Sequence, residues 1–463
     1  MIRPLHPSAR RRAAAAALAL AALALAGCET LAPVAPPAPA SGAADFSVYA
    51  SLGTSISAGW QSGGLVDRHQ TRAYPALFAK QAGVPVFDQP LIGGNGLPAL
   101  DSLIAIGPPL TIGKGSRVNG APLNALLPTA YHHLAVPFSV LFDVVDTTQY
   151  LTPPYTGRDL MLQTIQRGRG TLLAQLATQI NPRPTFISVE YGANEILGAG
   201  TAGSGTPLVP AAQWVGLLHV VLDNLQAAFP DARFAIFTVP DVTTAPFFTT
   251  LPPLVLGQNG QPVSPPVPLL GPGGTPLQYG RDLVLLTAGP YLAAGFGYPV
   301  GTTSYLSGLP VPGTGIPLPD SLVLTASEVA SLRAASAVYD AAVRNEALAR
   351  GFALVDLAGL LRKAATTGVH VSGATYTGAF LSGGLFSLDG IHPTDLAHAL
   401  LANELIAAVN AKFGARVPLL NVSEYATRRA DVATRPRTEG AAAPARVESA
   451  QYLATVFPWR GVH

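Results

Sequence analysis

Asp389 and His392 stand three residues apart in "FSLDGIHPTDLAHAL" (386–400), with Gly390 between them and Pro393 directly after. A histidine can act as a base on a hydroxyl when a carboxylate holds its far nitrogen in one tautomer. Within one turn the Asp389 carboxylate can fold back to Nδ1 of His392, while Gly390 lets the backbone turn tightly and Pro393 narrows the freedom of His392. The same letters would also suit a surface loop with a helix cap. A hydroxyl for such a base occurs at Ser55 in "SLGTSISAGW" (51–60). There Gly53 allows a sharp turn, and Ser55 falls at a strand-to-helix junction where its backbone N–H is unpaired. Serine is also a common N-cap, so Ser55 alone does not identify a nucleophile. Asn194, just beyond Gly192 in "EYGANEILG" (190–198), can donate its amide to an oxyanion or merely cap a turn. "QPLIGGNGLP" (89–98) is rich enough in glycine for a backbone N–H to approach a substrate, or simply to form a loop.

The elements that must position these residues read as strands alternating with helices. Short β-branched and aromatic runs occur at 46–52, 84–90, 185–191, 233–239 and 352–357, each followed by turn residues. Helical spacing links Trp214, Leu218, Val221, Leu225 and Phe229. Thr325 and Glu328 have capping-box spacing ahead of Val329, Leu332 and Val343. After the Asp-His turn, Leu396, Leu400, Leu405 and Val409 share a helical face that Gly414 ends. Strand, helix, strand in repetition predicts an α/β fold, a doubly wound, flavodoxin-like, mostly parallel five-stranded sheet with helices on both faces. The candidate residues fall at the carboxyl ends of its strands, where such sheets bind ligands. Two long segments, about 97–167 and 240–324, break the repeat. Their apolar, Pro-stiffened character suits a wall or lid over a hydrophobic substrate, or else a cover for the sheet edge or a surface for intermolecular contacts.

Composition narrows the partners. With 463 residues, 43 prolines and 47 glycines, the chain reads as one elaborated domain (45–425) with much loop. Charged residues are 12% and the net charge is +2, so no field draws nucleic acid. The nine histidines show no HExxH or similar ligand spacing, and no Walker-type phosphate loop occurs, so neither a metal nor another cofactor is expected. At the N-terminus, four arginines precede an apolar stretch from 13 to 26 and then "LAGC". Residues 1–27 look like a bacterial lipoprotein signal, with Cys28, the chain's single cysteine, as the lipidated first residue of the mature protein. Residues 28–44 form a Pro/Ala tether. Glu29 is not the aspartate that usually retains such proteins in the inner membrane, which points to the outer membrane of the cell envelope. Residues 426–463 are an Arg/Ala/Pro-rich tail.

Taken in order, the four reactive stretches resemble the SGNH hydrolases, also called GDSL lipases and esterases, with "DGIHPT" the most specific block. The stretch 238–248, "TVPDVTTAPFF", also looks like the one after the fourth strand of some bacterial members. The resemblance implies that Ser55 is the nucleophile, His392 the base, Asp389 the orienting acid and Asn194 an oxyanion donor. The backbone N–H groups of Ser55 and of Gly94 or Gly96 would complete the oxyanion hole; counting from Gln89 favours Gly94, a longer loop Gly96. It further implies a serine ester hydrolase, and the apolar insertions point to an ester substrate with an apolar acyl part. Thr54 and Glu195 depart from the family pattern, each replacing an aspartate. A carbohydrate acetylesterase, or a lipid- or glycan-binding lipoprotein that keeps the fold without catalysis, are the other readings.

Overall fold

The computed structural model describes residues 39–105, 111–146, 157–203 and 208–426; the expected signal, Cys28 and the tail from 427 lie outside the described residues. Five strands make one parallel sheet: β1 (Tyr49–Gly53), β2 (His133–Ala135), β3 (Phe186–Val189), β4 (Arg233–Phe237) and β5 (Ala353–Val355). Their order is β5-β4-β3-β1-β2, so the winding reverses between β1 and β3. β1 is paired on one side with β2 (Leu52 opposite Leu134) and on the other with β3 (Leu52 opposite Val189). This is the doubly wound α/β architecture, and the reversal opens the crevice where ligands of such sheets bind.

Alternation along the strands explains the two layers. Leu52, Ile187, Val189, Phe234 and Ile236 belong to one apolar core, which the long helices Ala211–Ala228 and Ala326–Arg350 cover. Trp214 and Tyr339 stack there at 4.0 Å between ring centroids. The neighbours Tyr49, Phe186, Ala235, Phe237 and Val355 face the other way, onto helices Tyr74–Ala82 and Asp395–Phe413. Successive strand side chains point to opposite faces, so a strand buried on both sides is mostly apolar; the buried exceptions Ser51 and Ser188 sit on neighbouring strands and hydrogen-bond to each other at 3.1 Å.

The second strand differs from the expectation. Residues 84–90 form no strand, because Pro85 and Pro90 lack the N–H groups a ladder needs. The segment passes the sheet edge instead: the Asp88 carbonyl accepts the His133 N–H at 3.1 Å, and Phe87 stacks on Tyr49. The edge strand comes from "HLA" (133–135), inside a segment that reads as insertion from sequence. The second long segment, 240–324, packs round a small apolar cluster of its own that includes Leu251, Val255, Leu269 and Tyr298. Among the described residues, no helix is long and apolar enough to cross a membrane.

Candidate active site

β1 ends at Gly53, and Ser55 opens the single-turn helix α1 (Ser55–Ala58), which Gly59 closes in the left-handed region at φ 79°. A side chain at position 53 would meet the Ser57 hydroxyl at 2.1 Å, so this turn requires glycine. As the first residue of α1, Ser55 has an N–H that the helix cannot pair, and no acceptor for it occurs among the described residues.

The aspartate-histidine turn is built as its spacing predicts. Gly390 takes φ 72°, the Ser387 N–H donates to the His392 carbonyl at 2.8 Å, and the turn presents both side chains on one side. Asp389 Oδ2 accepts His392 Nδ1–H at 2.9 Å and the Gly63 N–H at 3.2 Å. Its Oδ1 accepts the N–H groups of Ile391 (3.0 Å) and His392 (2.9 Å) and the Ser387 hydroxyl (3.1 Å). Burial alone would raise the Asp389 pKa, but the His392 charge and these donors outweigh it and hold the carboxyl down at about 2. An ionised carboxylate only accepts, so Nδ1 carries the ring proton and Nε2 is free to accept. Nε2 lies 2.9 Å from Ser55 Oγ, whose hydroxyl donates to it. Ser55, His392 and Asp389, separated by up to 337 positions in the chain, thus form one continuous hydrogen-bonded line, every member at most 4% exposed.

Asn194 stands at the start of helix α2 (Ala193–Ala202), after Gly192 with φ 111° at the end of β3. Its amide donates one N–H to the Ser139 carbonyl at 2.8 Å, and Asn194 lines the same cavity as Ser55 and His392. Gly94 and Gly96 are not brought there. Both have left-handed backbones, but Gly94 is exposed, while Gly96 sits against the Leu65 carbonyl and the Leu100 side chain, and neither lines the cavity. The physical reason is the sheet edge: the strand beside β1 is His133–Ala135, so the loop at its carboxyl end is 136–140, whereas the glycine-rich loop comes before that strand. In that nearer loop Phe138 takes the left-handed conformation (φ 66°) and packs edge-on against Trp60, whose ring centroid lies 6.0 Å from that of His392.

Two carboxylates support the site where the sequence departs from the aspartates of the resembled family. Glu190, fully buried at the end of β3, accepts with Oε2 from the Thr54 N–H (3.0 Å), the Thr54 hydroxyl (2.9 Å) and the Ser57 hydroxyl (2.9 Å). Burial raises its pKa to about 7 against the lowering effect of those bonds. Glu195 Oε1 accepts the Leu141 N–H (2.8 Å) and the Trp214 indole N–H (3.0 Å), tying the loop after β2 to the Asn194 helix. Burial raises its pKa as well. Sequence reading passes over Glu190, although a carboxylate closing an otherwise apolar strand is a signal in itself, since such groups are seldom fully buried without partners.

The cavity in front of Ser55 is lined by Ser55, Asn194 and His392, and otherwise by apolar side chains and prolines. The apolar insertions, expected to wall the site, contribute only Pro240, Val242 and Ala245. Most of the wall comes from helix α3 (Leu357–Ala365), residues 385–393 and the first turns of helix α4 (Asp395–Phe413). Among the described residues, no group of three or more His, Cys, Asp or Glu side chains is arranged to hold a metal ion.

Fold and site together define a parallel, doubly wound α/β domain with a serine-histidine-aspartate line at the carboxyl edge of its sheet. No family model matches the chain, and no curated protein aligns with it. Among solved structures, a phospholipase A1 from Streptomyces albidoflavus is similar over 79% of this chain and 98% of its own, at 14% identity and a TM-score of 0.33. An extracellular lipase from Streptomyces rimosus gives the same values. A family two carbohydrate esterase from Clostridium thermocellum is similar over 79% of this chain and 64% of its own, at 10% identity and a TM-score of 0.30. At those scores the likeness decides nothing; the strand order and the site geometry carry the conclusions.

Proposed function

We propose that the chain is a serine ester hydrolase, cleaving carboxylic esters through an acyl-serine intermediate. The observation that carries this reading is the unbroken line from Ser55 Oγ to His392 Nε2 and from His392 Nδ1 to Asp389, both contacts at 2.9 Å. His392 takes the proton from Oγ as the oxygen bonds to the ester carbonyl carbon. The developing oxyanion is met by the unpaired N–H of Ser55 at the start of α1 and by the second N–H of the Asn194 amide. His392 then passes its proton to the departing alcohol. Water, activated in turn by His392, releases the acid and restores Ser55. Throughout, Asp389 stays ionised and fixes the imidazole.

The proposal also attaches the domain to the cell envelope through a lipid on Cys28, which rests on the lipobox-like "LAGC" alone. One experiment reads both parts: a fluorophosphonate probe applied to fractionated cells producing the full chain. The expected result is a labelled band in the membrane fraction, lost in Ser55→Ala and moved to the soluble fraction in Cys28→Ala. Labelling that survives Ser55→Ala removes the hydrolase assignment, and an unmoved band in Cys28→Ala removes the anchor.

A further inference from the structure

We infer that the apolar cavity beside Ser55 is an acyl-chain slot, and that helix α3 sets the length of chain it accepts. This rests on the ester-hydrolase reading above and adds the substrate class: esters of unbranched aliphatic acids several methylenes long, preferred over acetates.

The inference starts from the pattern along α3. Leu357, Leu360, Leu361 and Ala364 follow the i, i+3, i+4, i+7 spacing of one helical face, and all four line the cavity. Leu360 and Leu361 are both half-buried and both line the cavity, Leu360 packing in part against the core that holds Tyr49 and Phe237. Across from this face stand Ile391, directly before His392, and Leu400 on α4, both half-buried as well. The helical periodicity of α4 puts Leu400 on its packed side, and it both packs against the cluster that holds Leu385 and Leu396 and lines the cavity. Half-buried aliphatic groups from three separate elements, facing one space whose polar lining side chains are Ser55, Asn194 and His392, make a surface for a chain with no polar groups beyond the reacting ester.

Chemistry assigns that chain to the acyl half. In the first step the bond from Ser55 Oγ to the acyl carbon forms, the bond from that carbon to the alcohol oxygen breaks, and the proton of Oγ leaves on the alcohol by way of His392. The alcohol must depart before water enters to cleave the acyl-serine. A walled slot opening at Ser55 therefore suits the half that stays attached. Each methylene buried there contributes roughly 0.8 kcal/mol, equivalent to about a fourfold rise in kcat/KM until the slot is full.

The test is a series of p-nitrophenyl esters from acetate to palmitate, with the full chain as wild type, Leu361→Trp and Leu360→Trp, and near-UV circular dichroism as the check on folding. The wild type should gain about fourfold per methylene from acetate upward, and each folded tryptophan variant should lower the octanoate-to-acetate ratio of kcat/KM about tenfold. A wild type that hydrolyses none of the esters overturns the hydrolase reading and the slot with it. A wild type fastest on acetate, or an unchanged ratio in both folded variants, overturns the slot alone. So does a rise with chain length along alkyl acetates that is absent along the acyl series, because it would put the alcohol in the cavity.

Discussion

Glu190 gathers three donors on one oxygen, and all three belong to the turn that carries Ser55: the Thr54 N–H, the Thr54 hydroxyl and the Ser57 hydroxyl. Ser57 is shared further with the Tyr74 hydroxyl at 2.7 Å, which links the turn to the helix below the sheet. The side chain touches none of the atoms proposed to react, so its part is to fix where Ser55 Oγ stands relative to His392. A misplacement of about 1 Å in a catalytic group can cost about a hundredfold in rate. Glu190→Ala should therefore lower kcat by about that factor while KM moves less than about threefold, since the apolar cavity is untouched. Glu190→Gln keeps an acceptor of the same reach and should recover most of the loss. Equal damage from alanine and glutamine, or an effect confined to KM, would show that the hydrogen bonds to Thr54 and Ser57 do not position the nucleophile.

Helix α4 begins two residues after Pro393, and its first residue joins the two halves of the site. Asp395 Oδ1 accepts from the Gln61 amide (2.6 Å) and from His69 Nδ1–H (2.8 Å), while Oδ2 accepts from the Arg72 guanidinium (2.8 Å). Burial would raise the carboxyl, but His69, Gln61 and Arg72 outweigh it and hold it at about 2. Gln61 follows the Ser55 turn and Asp395 follows the His392 turn, so the clamp spans them. Asp395→Ala leaves the buried Gln61 amide without its acceptor and should cost about 1–3 kcal/mol in urea unfolding, together with a fall in kcat. Stability lost with kcat intact would mean that the clamp holds the fold only. How legible this was from sequence depends on distance along the chain. The Asp389-His392 turn is local, and strands β1, β3, β4 and β5 are apolar runs bounded by turn residues, so pattern finds them. The edge strand does not stand out, because "HLA" is only three residues long and opens on a polar one, whereas "VPVFDQP" resembles a strand until the missing N–H groups of its two prolines are weighed. The choice of Gly94 or Gly96 inherits that error. The Asp395 clamp and the cavity wall depend on α3 and α4 packing against residues hundreds of positions away, which no local spacing encodes.

For the domain as a whole, sensitivity to acid follows from which buried groups stay neutral. Burial pushes His133 down to about 3 and His398 down to about 4, from 6.5 in an unfolded chain. Between those values and 6.5 the unfolded chain binds protons that the folded one refuses, so this contribution to stability is complete above pH 6.5 and shrinks as the pH falls. Glu190 has the opposite sign. Its folded pKa of about 7 lies above the usual 4.5, so between those values the folded chain holds a proton that the unfolded one releases, and stability declines as the pH rises. Asp101, raised by burial to about 6, and Glu195 share the sign of Glu190, so these acids oppose the two histidines between pH 6.5 and 4.5. Asp389 and Asp395, both held near 2 instead of 3.8, add a second loss as the pH drops through that lower range. His398 offers the sharpest test: it is fully buried on α4, neither ring nitrogen has a hydrogen-bond partner among the described residues, and the titratable groups acting on it are Asp395, His69 and His392. His398→Leu removes one of the two refused protons. Urea midpoints of wild type and variant, measured from pH 7.5 to 4.5, should diverge in favour of the variant as the pH falls below 6.5. Two curves that stay parallel across that range would show that His398 does not resist protonation in the folded chain.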